Sequence, residues 1–290
     1  MHYFFYSMRY FVLLVFFLNA LSHAEAEMDS KVPFVGKILE FSDTKGHHTY
    51  RTEIIHYQSI DGAFIEATLL SPNIETPQAG LIFTHMWARD RNTFWGLPEF
   101  LATHGYPSIY IDLRGHGKSK YPAPYSNTQV TINDKQKDYF NLYLDILPSI
   151  DILNAQQKVK KNNLILIAAS LGCPLGVKAV HIYQEKFVGM IHLAPATVYF
   201  NVDCRLELKT LRPMPIYVII ESTDSSIRFA KDFFSIPEGY KTIFNINKIG
   251  HGTDVLFHNL GFPTIIRSWI QQIETLAPII SKIEKTKVLT

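Results

Sequence analysis

Cysteine and net charge are both scarce in this chain. Only two cysteines, Cys173 and Cys204, occur in 290 residues, which excludes a disulfide-framework fold and a CxxC metal knuckle. The formal charge at pH 7 is +2, too small to support nucleic-acid binding through a basic surface. Neither HExxH nor a GxGxxG after a strand is present, so no motif points to a catalytic metal or a dinucleotide cofactor. The histidines do not fall at metal-ligand spacings, and His251 and His258 are too far apart to meet on one helical turn. Repeats, low-complexity tracts and linker-like stretches are also missing.

One apolar run stands out. Arg9 is followed by "YFVLLVFFLNAL" and then "SHAEA", a core short for a bilayer span and trailed by small residues. Residues 1–24 are read as a signal peptide, cleaved after Ala24, with Ala26 a second position and Met8 an alternative start. An uncleaved anchor is the competing reading. Cleavage would remove one basic residue, Arg9, and no acidic one, leaving a nearly neutral mature chain that is secreted or periplasmic and has no stable membrane span. Export would permit a disulfide between Cys173 and Cys204, although Cys173 in an apolar helix start suits a buried thiol equally well.

Beyond a segment 25–51, treated as an N-terminal extension, residues 52–290 read as one domain. "TEIIHYQS" and "AFIEATLLSP" are two strands joined at Asp61–Gly62, a hairpin signal. Short apolar strands then alternate with helices: "GLIFTH", a helix from Thr93 to His104, "SIYIDL", a long helix over 136–157 weakened by Pro148, and "LILIAA". A helix from Leu171, "VGMIHLA", "PIYVIIES", a short helix near 226–234, "YKTIFNINK" and a helix over 263–275 complete the pattern. The expected fold is α/β: a mostly parallel, doubly wound sheet covered on both faces, preceded by an antiparallel hairpin.

In such a sheet, functional groups gather just past the carboxyl ends of the strands. Ser170 follows "LILIAA", Asp224 follows "YVIIEST" and His251 follows "FNINKIG". A serine hydroxyl becomes nucleophilic when an imidazole takes its proton, and a carboxylate holds that imidazole in the useful tautomer. Each residue alone has a plainer reading as a helix cap, a turn residue or a loop residue. Their joint position and chain order favour catalysis.

At these residues the chain resembles the α/β-hydrolase superfamily, over about residues 52–275. "HGYPSIYIDLRGHGKS" is similar to the family's fourth strand and following loop, with Asp112, Arg114, Gly115, His116, Gly117 and Ser119 on its DxRGHGxS pattern. The resemblance implies that these residues are architectural. "LIFTHMW" is similar to the third strand and its HGx oxyanion loop, with Met86 where the glycine is expected. By the same resemblance, the backbone N–H groups of Trp87 and Leu171 would form the oxyanion hole. The elbow reads AxSxG, Ala168 standing for the usual first glycine; the steric demand there is smallness, which Ala168 and Gly172 meet. Glu221 is the alternative acid to Asp224, and Asp254 reads as a cap.

The expected function is a serine hydrolase acting on a small-molecule ester or similar acyl bond, with no cofactor. A serine peptidase of the same fold and a non-catalytic binding protein are the alternatives. The connection "PATVYFNVDCRLELKTLRPM" is too short for a large helical lid, which implies an open site similar to carboxylesterases and dienelactone-hydrolase-like proteins. Amino-terminal sequencing of exported protein is expected to read from Glu25; a mature chain that still carries Arg9 would refute cleavage.

Overall fold

The computed structural model describes residues 40–46, 49–120, 137–221, 227–246, 250–258 and 261–288. The expected signal segment 1–24 and Asp224 lie outside the described residues. In chain order the domain runs β1 (Glu40–Gly46), β2 (Tyr50–Gln58), β3 (Phe64–Pro72), β4 (Gln78–Thr84), α1 (Leu97–Thr103) and β5 (Ser108–Ile111). Next come α2 (Lys137–Phe140), α3 (Leu147–Asn154), β6 (Val159–Ala169), α4 (Gly172–Ile182) and β7 (Phe187–Leu193). A connection of β8 (Val198–Tyr199), β9 (Val202–Asp203) and α5 (Arg205–Thr210) leads to β10 (Ile216–Glu221). The chain continues as α6 (Ile227–Ser235), β11 (Lys241–Ile246), α7 (Asp254–His258) and α8 (Phe262–Val288).

Among the described residues the strands form a sheet of order β1-β2-β3-β5-β4-β6-β7-β10-β11, with β8 and β9 as a separate ribbon. The run from β5 to β11 is parallel, while β1, β2 and β3 pair antiparallel and β3 meets β5 antiparallel. The β2–β3 hairpin turns where the sequence suggests: Gly62 takes φ +87°, its N–H bonds the Ser59 carbonyl at 2.9 Å, and the Ser59 hydroxyl bonds Asp61 at 2.6 Å. The chain winds from β4 to β5 on one side and returns through β6 on the other. This reversal opens a crevice at the carboxyl ends of β4 and β6.

The continuous apolar runs are explained by burial of both sheet faces. Along β6, Leu164, Leu166 and Ala168 face the core shared with α3, α4 and α5. Ile165, Ile167 and Ala169 face the opposite core, where Leu101 of α1 and Ile266, Ile270 and Ile273 of α8 pack.

Several elements differ from the sequence pattern; the last helix, expected over 263–275, runs on through Pro278 to Val288. The helix expected from Thr93 to His104 is broken by Trp95 and Gly96, at φ +51° and +78°, into a tight turn at Arg91–Phe94 and α1. The long helix expected over 136–157 is divided into α2, a tight turn at Leu142–Asp145 and α3. Pro98 and Pro148 sit in the first turns of α1 and α3, where a missing N–H costs no helical bond. Within the expected extension, β1 pairs with β2; its sequence, EFSDTKG, has no apolar alternation by which it could be recognised.

The loops after β4 and β5 are joined by buried charges. Arg91 bonds Asp112 through its guanidinium at 2.6 Å and its backbone N–H at 2.8 Å, and it also pairs with Glu66 of β3. Glu66 meets His56, its register partner on β2, at 2.9 Å. Burial pushes the Glu66 carboxyl up, but Arg91 and His56 outweigh it and hold the group below the ordinary glutamate range. Asp112 also accepts the Lys118 N–H at 2.7 Å, and a Cβ on Gly117 would lie 2.2 Å from that carboxylate. Arg114 spans buried Asp145 and Asp61, and the Ser119 hydroxyl accepts the Glu66 N–H at 2.8 Å. The DxRGHGxS residues thus brace loops.

Removing the Arg91 side chain takes the ion-pair partner from buried Asp112 and partly buried Glu66. Arg91→Met is expected to lower the unfolding free energy by about 3–5 kcal/mol in urea titration. A loss below about 1 kcal/mol would show that the pair behaves as a solvated surface contact.

Candidate active site

Ser170 is the single residue between the end of β6 and Leu171, which leads into α4. It adopts φ +48°, a costly conformation for a side chain larger than glycine. Bonds on both sides hold it there: its N–H donates to the Leu193 carbonyl of β7 at 3.0 Å, and its carbonyl accepts the Cys173 N–H at 2.9 Å. The result is a sharp strand-to-helix turn with the hydroxyl at its apex.

Packing around this turn leaves little room. A Cβ on Gly172 would stand 2.4 Å from the Thr84 carbonyl oxygen and 2.8 Å from that of His85, and backbone atoms cannot swing aside as a flexible side chain can. The Thr84 hydroxyl fixes the approach by donating to the Gly172 carbonyl at 3.1 Å. Ala168, two residues before the serine, is fully buried in register with Thr84 on β4 and His192 on β7. A methyl group fits at that position.

His251 comes from the loop between β11 and α7, and its Nε2 lies 2.7 Å from the Ser170 Oγ. The structure therefore brings together two residues separated by 81 positions. With Nε2 unprotonated, the serine hydroxyl donates to it, as transfer to a base requires. Glu221 is the last residue of β10. Asp254 is the first residue of α7, with its N–H on the His251 carbonyl at 3.2 Å, and stands 3.9 Å from Arg89.

The other loop at the crevice follows β4. His85 is buried, and its Nε2 accepts the Leu113 N–H at 3.0 Å. Its Nδ1 therefore carries the proton and donates to the Met86 carbonyl at 2.8 Å. Burial, reinforced by nearby His116, drives the His85 pKa down to about 3. His85 is thus a neutral brace between the β4 and β5 loops. Leu171 is buried directly after Ser170, and Trp87, three residues beyond the end of β4, is exposed.

Met86 has a role that the sequence did not reveal. Its sulfur accepts the Thr253 hydroxyl at 3.3 Å, and Thr253 meets Thr93 at 2.5 Å. Gly252, at φ +61°, faces it so closely that a Cβ there would stand 2.8 Å from the sulfur. The Met86 side chain thus rests on the two residues that follow His251. Cys173 and Cys204 are both buried and free.

Met86→Gly would release the loop that carries the imidazole. Phosphonate labelling of Ser170 is expected to slow by about tenfold or more, because small displacements of a reacting pair cost that much. An unchanged labelling rate would show that the loop holds without the thioether.

Residues 75–216 match the family model described as serine aminopeptidase, S33. Among curated proteins, no relative is matched by sequence. An acetyl xylan esterase from a Thermoanaerobacterium species superposes with a TM-score of 0.65 at 14% identity, covering 82% of this chain and 88% of that one. A Paenibacillus acetyl xylan esterase gives 0.64 at 15%, covering 88% and 92%. A dienelactone hydrolase from Anabaena variabilis gives 0.60 at 16%, covering 78% and 97%. The strand order, the serine turn after β6 and these matches agree on one architecture, and the chain has the α/β-hydrolase fold.

Proposed function

We propose that the protein is a serine hydrolase that cleaves a carboxylic ester or similar acyl bond. The observation that carries this reading is the Ser170 Oγ within 2.7 Å of the His251 Nε2, on a backbone strained to present the hydroxyl. His251 takes the hydroxyl proton as Ser170 attacks the carbonyl carbon, and Asp224 holds the imidazole in the required tautomer. The backbone N–H groups of Trp87 and Leu171 receive the developing oxyanion, a donor being worth about 3 kcal/mol in such a site. His251 then protonates the leaving group, and water, activated by the same imidazole, releases the acyl group. This sequence of steps needs only side chains, backbone N–H groups and water.

Esters are favoured over amides by the short β7–β10 connection, a ribbon and a six-residue helix, and by the acetyl xylan esterases and dienelactone hydrolase among its structural neighbours. The serine aminopeptidase family model supports amide cleavage as a second reading. Export through residues 1–24, placing the enzyme outside the cytoplasm, belongs to the same proposal.

An active-serine phosphonate is expected to modify Ser170 in the folded mature protein. Ser170→Ala should abolish ester turnover, while Ala168→Gly keeps it measurable. A folded protein that resists labelling, with Ser170→Ala as active as the parent, would overturn the mechanism. Failure of both labelling and turnover across acyl lengths would favour a binding protein. Peptide amides hydrolysed as fast as simple esters would favour the peptidase.

A further inference from the structure

The two strands that flank β6 are β4 and β7, so the segments leaving their carboxyl ends stand on either side of Ser170. Each carries an exposed aromatic ring toward the other. Trp87 follows β4 and is 42% exposed; Phe200, in the connection after β7, is 47% exposed. Their centroids are 5.7 Å apart at 62°. Beneath them Tyr139 of α2, itself buried, stacks on Phe200 at 4.3 Å and 17°, and Tyr199 meets Phe200 edge-on at 4.9 Å. Three separate segments thus build one aromatic cluster, two of them leaving the strands that flank β6.

Two further properties indicate a ligand surface. The indole N–H of Trp87 donates to the Tyr139 hydroxyl at 3.2 Å, so the donor of the exposed indole is already engaged and its accessible face is apolar. Phe200 is the first central residue of the two-residue turn between β8 and β9, and it takes φ +48°. Glycine ordinarily fills such a turn position, and a bulky aromatic there is strained. The ring packs on Tyr139, Tyr199 and Trp87 and still leaves 47% of the residue exposed to a ligand.

We infer that Trp87 and Phe200, backed by Tyr139, form a subsite for a planar aromatic group on the substrate, so that the preferred ester carries an aryl ring. This rests on the esterase reading for the identity of the reacting bond, though the subsite itself needs only the cluster. Ring-on-ring contact beyond simple burial supplies the selectivity.

The test compares ethyl phenylacetate with ethyl butyrate, and benzyl acetate with butyl acetate, using the parent and Phe200→Gly. The phenyl-over-alkyl ratio of kcat/KM is expected to fall about tenfold in at least one pair, mainly through KM. A cooperative thermal transition well above the assay temperature checks that Phe200→Gly is folded, since relief of the turn opposes the loss of the ring contacts. Leu206→Ala, an exposed residue of neighbouring α5 outside the cluster, should leave the ratio unchanged. Ratios within about twofold of the parent in both pairs would overturn the subsite.

Binding of benzyl acetate to Ser170→Ala, followed by saturation-transfer NMR, separates the two ideas. Weaker binding when Phe200→Gly is added supports the subsite even if no ester is turned over, in which case the esterase reading alone fails. Equal binding with and without Phe200→Gly overturns the subsite whatever the turnover.

Discussion

The close approach of Gly172 to the end of β4 governs the site. An α-carbon without a side chain lets the first turn of α4 settle against the Thr84 and His85 carbonyls. That contact seats the serine turn between β4 and β7, and the Ser170 N–H completes it on the Leu193 carbonyl. A strained residue persists only where its surroundings over-determine it. Here sheet pairing on both sides of β6 and the Thr84 hydroxyl supply that restraint.

A rigid serine is useful only if the segments around it are equally fixed, and the molecule restrains them with buried polar contacts. His85 ties the β4 loop to Leu113, and Arg91 ties it to Asp112 and Glu66. These charges are costly to bury singly, but together they leave each carboxylate with donors. The His251 loop has a different attachment, through Met86, Thr253 and Thr93. A methionine where the resemblance led one to expect glycine is thus accommodated by a glycine elsewhere, Gly252. The position of the small residue has moved across the crevice.

Strain recurs at Phe200 for a different end. Ser170 and Phe200 take nearly the same φ, +48° each. At Ser170, itself buried, the twist sets the hydroxyl against His251, and at Phe200 it carries a ring that is 47% exposed. In both cases local backbone preference yields to what the side chain meets, Nε2 of His251 in one and the rings of Trp87 and Tyr139 in the other.

Much of the architecture was legible in the sequence, because doubly buried strands must be continuously apolar and parallel strands need helical crossovers. The places of Ser170 and His251 after such strands could be read for the same reason. β1 could not, since an edge strand of polar residues carries no periodic signal, and the breaks at Trp95–Gly96 and before Pro148 depend on backbone turns that apolar spacing does not encode. The sequence by itself determined the fold class and that Ser170 directly follows a doubly buried strand. Only the tertiary structure decided that Ser170 meets His251, that Met86 rests on Gly252 and Thr253, and that Trp87, Tyr139 and Phe200 form one cluster. Those contacts join segments distant in the chain, and side-chain packing between them has no local pattern to announce it.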